Sequence, residues 1–293
     1  MIEVVPLRYG TAFKKAFGDP KVFSDFASDV LGIPVTLETV HQEYAFKESF
    51  GRVKVEFDLF AEDPSHRLVV ELQHLREGDF FDRFLYYQVI AMAEQVTSHT
   101  SYRFARDVYT VVVLTTLPRE GKLRFSAATT DFDLVTERGE RLGIYRHRLV
   151  FLNPRAVSDA TPPPLRAWLE LIEDSLDGVV DEARVEPRQR SVLDAIRTER
   201  LQPEEVARLK DEAAWEDVKA DARLEGRLEG RLEGERQGVL RGRREALRTL
   251  AAVAGIALAA EDLARIEGCA EVSTLDRWIA NGRAARDARD LFG

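Results

Sequence analysis

The chain has 293 residues, 45% hydrophobic and 32% charged, with a formal net charge of −9, enough for one large domain or two with a substantial core. One cysteine, Cys269, excludes a disulfide framework, five histidines without HxxxH spacing argue against a zinc hydrolase, and neither a GxxxxGK[ST] loop nor a GxGxxG motif after a strand is present, so no nucleotide cofactor is expected. No apolar run is long enough for a bilayer and the start lacks a signal-peptide layout, so a cytoplasmic protein without a membrane partner is expected.

Residues 9–31 read as a helix, with Phe13, Phe17, Phe23, Phe26 and Leu31 recurring on one face. Gly18-Asp19-Pro20 interrupts it and Gly32-Ile33-Pro34 ends it. Val35–Phe46 reads as a strand carrying Glu38, His41 and Glu43 at polar positions. Val53–Ala61 alternates apolar and polar residues, the pattern of a half-buried strand. Pro64 breaks the run Glu62–His66 into a turn, and Leu68–Gln73 forms a second strand.

This hairpin carries the chemistry. Pairing around Pro64-Ser65 sets Asp58 opposite Glu71, and opposed residues have β-carbons about 4.5–5.5 Å apart. Glu71 and Gln73 share one face of their strand. The second strand is apolar on both sides, so Glu71 emerges from surroundings where an unpaired charge is unfavourable. Two close carboxylates repel unless a cation lies between them. Mg²⁺ favours hard oxygen ligands, including one or two carboxylates. The alternative for each acid is solvated surface charge, and pattern alone does not choose between them.

A helix is expected from Gly78-Asp79 to about Thr97, with Asp79 as N-cap and Arg83, Tyr87 and Ile90 on one face. Tyr109–Thr116 is a β-branched strand, and residues 123–128 and 144–152 give two more. Strands mixed with helices make residues 1–157 an α/β domain. Residues 101–157 carry ten Arg/Lys against six Asp/Glu, whereas residues 1–100 carry ten against sixteen. A phosphate-binding surface needs local positive charge and not a basic whole.

Thr161-Pro162-Pro163-Pro164 marks a boundary, beyond which the pattern is helical. Residues 158–222 read as a helical connector, 223–242 as a glycine-spaced segment and 243–293 as a small helical end, in which Ser273 resembles an N-cap. Arg-Leu-Glu-Gly occurs at 223–226, 227–230 and 231–234, and Gly238 and Gly242 continue the spacing. Each Gly costs a helix roughly 0.8–1.0 kcal/mol relative to Ala, and like charges recur at i, i+4. The segment is therefore expected either to pair with a second chain, making a homo-oligomer, or to be a loosely helical spacer.

Residues 9–155 resemble the Rpn family of recombination-promoting nucleases, within the PD-(D/E)XK superfamily. The resemblance rests on Phe13-Lys14-Lys15-Ala16-Phe17, Phe57-Asp58, Val70-Glu71-Leu72-Gln73, Phe81-Asp82-Arg83-Phe84-Leu85-Tyr86-Tyr87, Tyr102 and Val108–Val112. It implies a restriction-endonuclease-like mixed central sheet flanked by helices, followed here by an all-α C-terminal region. It also implies a Mg²⁺-dependent DNA endonuclease, with Mn²⁺ able to substitute, tied to DNA recombination or mobile elements. Asp58 and Glu71 match the metal-binding acids, and Gln73 stands where the superfamily has lysine. Arg83 and Tyr87 would contact phosphate or brace the acids. A further acid often comes from the first helix, but Tyr9-Gly10-Thr11-Ala12 has none. Glu43 is the substitute metal ligand. The competing expectation is a catalytically idle nuclease fold acting in DNA binding or as an oligomeric scaffold.

Overall fold

A computed structural model describes residues 1–46, 55–74, 80–96, 102–115 and 125–293, without the side chains at 219, 220, 223, 224 and 227. In chain order, β1 (Ile2–Glu3) precedes α1 (Gly10–Phe17), α2 (Pro20–Leu31), β2 (His41–Tyr44), β3 (Phe57–Glu62), β4 (His66–Gln73) and α3 (Phe80–Ala93). Then come β5 (Asp107–Leu114), β6 (Ala127–Asp131), β7 (Arg148–Leu152), α4 (Pro163–Ser175), β8 (Val179–Val180) and α5 (Arg190–Ile196). The remaining elements are α6 (Pro203–Val253), α7 (Ala260–Gly268), α8 (Val272–Asn281) and α9 (Ala288–Phe292).

The chain divides into two compact units, Met1–Ala213 and Ala214–Gly293. The first is α/β, built on a six-stranded mixed sheet in the order β2-β3-β4-β5-β7-β6. β2, β3 and β4 run antiparallel, β4–β5 and β5–β7 pair in parallel, and β6 returns antiparallel on β7. Alternation decides which side chains face which layer. Leu68, Val70, Tyr109, Val111 and Val113 join a core with α1, α2, α4 and α5. Val69, Val108, Val112 and Leu114 join the opposite core, with Phe80, Phe84, Tyr87 and Ile90 of α3.

Polar bonds hold α3 to the sheet. Buried Arg67 of β4 donates to the Ala91 carbonyl at 2.8 Å and pairs with Glu94 at 2.7 Å and with Glu62. Gln88 donates to the Val108 carbonyl at 3.1 Å. On the other side, Phe13 and Phe17 stack at 4.6 Å, and Phe17 and Phe26 lie against Trp168 of α4. α1 and α3 are thereby fixed on opposite faces of the same strands.

Several expectations shift. The helix expected over 9–31 is two helices, since the Asp19 carboxylate caps the second by accepting from the Lys21 and Val22 amides. The expected strand Val35–Phe46 contracts to His41–Tyr44, because Ser28 and Ser24 hydroxyls take the Val35 and Leu37 amides. The strand expected over 144–152 begins at Arg148, because the Asp133 carboxylate accepts the amides of Gly143, Ile144 and Tyr145. β6 lies later than the strand expected over 123–128, of which 123 and 124 fall outside the described residues. Asp79 and the start of the strand Val53–Ala61 also fall outside them.

A boundary after residue 157 would divide one packed unit. Trp168, Leu169, Ile172 and Leu193 lie in the same core as Phe13 and Leu59. Helical periodicity marks an apolar face but says nothing of which surface will cover it.

The second unit has its own core of Leu240, Leu247, Ile256, Ile266, Leu275, Trp278, Leu291 and Phe292. Trp278 and Phe292 meet edge to face at 4.9 Å, with the Arg265 guanidinium over both rings. α8 begins at Val272 with Glu271 at the N-cap position, two residues before the Ser273 cap expected. The glycine-spaced repeat is helical throughout, within the 51-residue α6.

Candidate functional site

The register of β3 on β4 runs Glu62↔Arg67, Ala61↔Leu68, Phe60↔Val69 and Leu59↔Val70. The register ends at Leu59↔Val70, with Asp58 and Glu71 the next residues on each strand. There the ladder changes character. The Asp58 amide donates to Glu71 Oε1 at 3.1 Å, and the Leu72 amide donates to Asp58 Oδ2 at 2.9 Å. Each carboxylate thus accepts from an amide of the opposite strand. The acids are fixed by backbone, which holds their geometry with little rotamer freedom.

Asp58 is half-buried and Glu71 is buried. Glu71 is 3% exposed. Burial, and after it the Asp58 charge, pushes the Glu71 carboxyl well above the ordinary range, against the smaller opposing effects of the Asp58 amide, Arg83 and Lys14. Burial also raises Asp58, opposed by the Leu72 amide, Lys14 and Arg83, and the Glu43 charge adds a smaller upward effect. Desolvation disfavours the charged form of each acid, and for Glu71 the Asp58 charge adds to that effect. Neighbouring titratable groups shifted by burial mark a functional-site candidate.

Gln73 follows on the same face of β4 and is buried. Glu71 and Gln73 lie toward the carboxyl end of β4, whose neighbour β5 is parallel, and ligands of open α/β sheets gather outside such ends. Just beyond, His74 Nδ1 lies 2.9 Å from Thr115 Oγ1. Sequence reasoning missed that pair, although both residues directly follow strand ends.

The other expected residues separate in role. Glu43 lies between Gln42 and Tyr44, which pair with Leu59 and Phe57, so its register position is beside Asp58. Its φ is 52°, in the left-handed region, where a non-glycine residue is strained. The side chain is exposed and accepts from Lys14 Nζ at 2.5 Å. Among the described residues no three His, Cys, Asp or Glu side chains gather as a metal-binding group. Glu43 is an ion-pair partner of Lys14 in this geometry, and its charge bears on Asp58. Arg83 Nε lies 3.3 Å from the Tyr87 hydroxyl, and its guanidinium is 5.3 Å from the Tyr87 ring. Tyr87 is buried, edge-on to Phe57 at 5.7 Å. Tyr87 packs and braces, while Arg83 directs its charge at both acids.

Lys14 is the site residue that sequence reasoning did not single out. It comes from α1, its charge bears on both acids, and Glu43 holds it. The signal was present in Phe13-Lys14-Lys15-Ala16-Phe17, where two core phenylalanines fix the helix face and leave Lys14 beside it. The acids thus have one cation from the helix on each face of the sheet.

Compared with known proteins, the chain matches no family and no curated protein. Among the described residues no helix is long and apolar enough to cross a membrane.

Proposed function

We propose that the first unit is a divalent-metal-dependent DNA endonuclease of the restriction-endonuclease-like kind. The observation that carries the reading is the pair of buried Glu71 and half-buried Asp58, cross-bonded through the Asp58 and Leu72 amides. Two hard-oxygen donors side by side, each held toward its protonated form by burial, fit a Mg²⁺ or Mn²⁺ ion. Asp58 and Glu71 would hold it. When bound, such an ion neutralises phosphate charge and lowers the pKa of an attacking water.

The chain's own residues supply the rest. The two backbone bonds orient the carboxylates before substrate arrives. Gln73, on the Glu71 face, orients water or the scissile phosphate through its amide. It carries no charge, so the positive field comes from Lys14 and Arg83. Tyr87 keeps Arg83 in place. The mixed sheet flanked by helices agrees with the family resemblance.

One observation favours the second reading, a nuclease fold acting in DNA binding or scaffolding without cleavage: the Glu43 carboxylate is engaged by Lys14. Cleavage of supercoiled plasmid with Mg²⁺ or Mn²⁺ separates the two. The nuclease reading expects nicking by the wild-type chain and a fall of about a hundredfold or more, the scale of a lost catalytic group, in Asp58→Ala and Glu71→Ala. Equal activity in all three folded proteins, or none in the wild type, would favour the second reading.

A further inference from the structure

The repeat within α6 presents an ordered pattern on a helix surface. A four-residue step turns a helix by about 400°, so equivalent positions of successive repeats drift by only about 40°. Arginine, leucine, glutamate and glycine therefore each form a column. Around the helix the order is arginine, leucine, glutamate, glycine, with the leucine column flanked by arginines on one side and glutamates on the other. Leu228 and Leu232 are each 54% exposed, and Val239, which continues their face, is 48% exposed. A β-carbon added at Gly226, Gly230, Gly234, Gly238 or Gly242 would meet open space. An unsupported helix bearing these five glycines would lose roughly 0.8–1.0 kcal/mol at each relative to alanine.

We infer that this face pairs with the same face of a second copy of the chain, and that the two helices run parallel. Charge decides the occupant and its direction. In a parallel two-fold pair with leucine faces together, the arginine column of one copy borders the glutamate column of the other on both flanks. In an antiparallel two-fold pair arginine borders arginine and glutamate borders glutamate, which is unfavourable. The surface is thus self-complementary in one direction only, the property a symmetric homodimer requires. A charged partner of uniform sign, such as a nucleic acid backbone, would meet attraction on one flank and repulsion on the other. The inference does not depend on the nuclease reading.

The test uses the full chain with Cys269→Ser. Sedimentation is expected to give twice the 33.2 kDa chain mass, and Leu228→Glu with Leu232→Glu is expected to return the single-chain mass with the far-ultraviolet spectrum of a folded protein. Leu228→Cys and Val239→Cys, made separately, are each expected to form the disulfide-linked dimer under mild oxidation. An antiparallel pair can bring at most one of these positions against its own copy. A single-chain mass for the starting protein, a dimer that survives the double glutamate substitution, or cross-linking at fewer than both positions would overturn the proposal. Plasmid cleavage, read on the same samples, reports separately on the nuclease reading.

Discussion

The two units contain opposite exceptions to the rule that sorts side chains by polarity. In the first, an acid is inside, with Glu71 at 3% exposure beside Asp58. In the second, leucines are outside, with Leu228 and Leu232 each 54% exposed. Under the proposed function and the inferred pairing, each arrangement would become favourable through something the chain meets: a cation for the acid pair, a second copy for the exposed leucines. An inverted residue in an otherwise regular element points to what binds there.

The largest expected effect sharpens the comparison by defining the region that holds the acid pair. Trp168 fills the core against Phe17 and Phe26 and donates to Asp29 at 2.8 Å. Trp168→Ala should cost the first unit about 3–5 kcal/mol, measured by denaturant unfolding. A change below 1 kcal/mol would restore the boundary near residue 157.

Next, Glu71→Gln should separate stability from function. It removes a buried charge while keeping shape, so the metal-free protein should melt a few degrees higher, the scale of about 1 kcal/mol, while cleavage is lost. A lower melting temperature would mean that the carboxylate is a net stabiliser and the inversion only apparent.

The pH dependence follows with its sign fixed. Asp58 and Glu71 titrate above their ordinary values of 3.8 and 4.5 in the fold. Groups raised in this way contribute stability below the unfolded values and lose it as pH rises through the folded ones. In chelator, their contribution to the melting temperature should therefore decline as pH rises above the ordinary carboxylate values of 3.8 and 4.5, and Glu71→Gln should flatten the decline. Mn²⁺ at about a hundred times its dissociation constant should restore about 2.7 kcal/mol, more at higher pH than at lower. Equal stabilisation by Mn²⁺ at both would disconnect the ion from these acids.

Smaller still is the effect of Lys14. Lys14→Gln should tighten Mn²⁺ binding, because a cation beside both acids is removed, and slow cleavage on the order of tenfold, equivalent to about 1.4 kcal/mol. Titration calorimetry and single-turnover cleavage read the two effects, and movement of both in the same direction would assign Lys14 a merely structural role. The smallest expected change is at the repeat. Gly230→Ala should stabilise α6 by about 0.8–1.0 kcal/mol, seen as slower amide exchange, because its added β-carbon meets open space. Destabilisation there would locate the partner on the glycine column instead of the leucine face.

The nearness of the two acids was legible because the turn at Pro64 sets the register, which brings Asp58 and Glu71 next to the Leu59↔Val70 pair. The mixed sheet was legible because strand alternation has a period of two. Lys14 was not, since its approach depends on how α1 packs, and a sequence gives a helix its faces without its position. Nor was the extent of the first unit, because the apolar face of α4 shows that it is covered but not by what. The ion pair of Glu43 depends on a left-handed backbone turn at that residue, which no side-chain pattern announces.

The most direct test of the central claim is calorimetric titration of Mn²⁺ into the chelator-stripped wild-type chain, Asp58→Asn and Glu71→Gln at pH about 8, where the acid pair must ionise to bind. The account predicts saturable binding to the wild type, with proton release that varies with buffer, and at least about a tenfold loss of affinity in each variant. Equal binding by all three proteins, or none by the wild type, would contradict it.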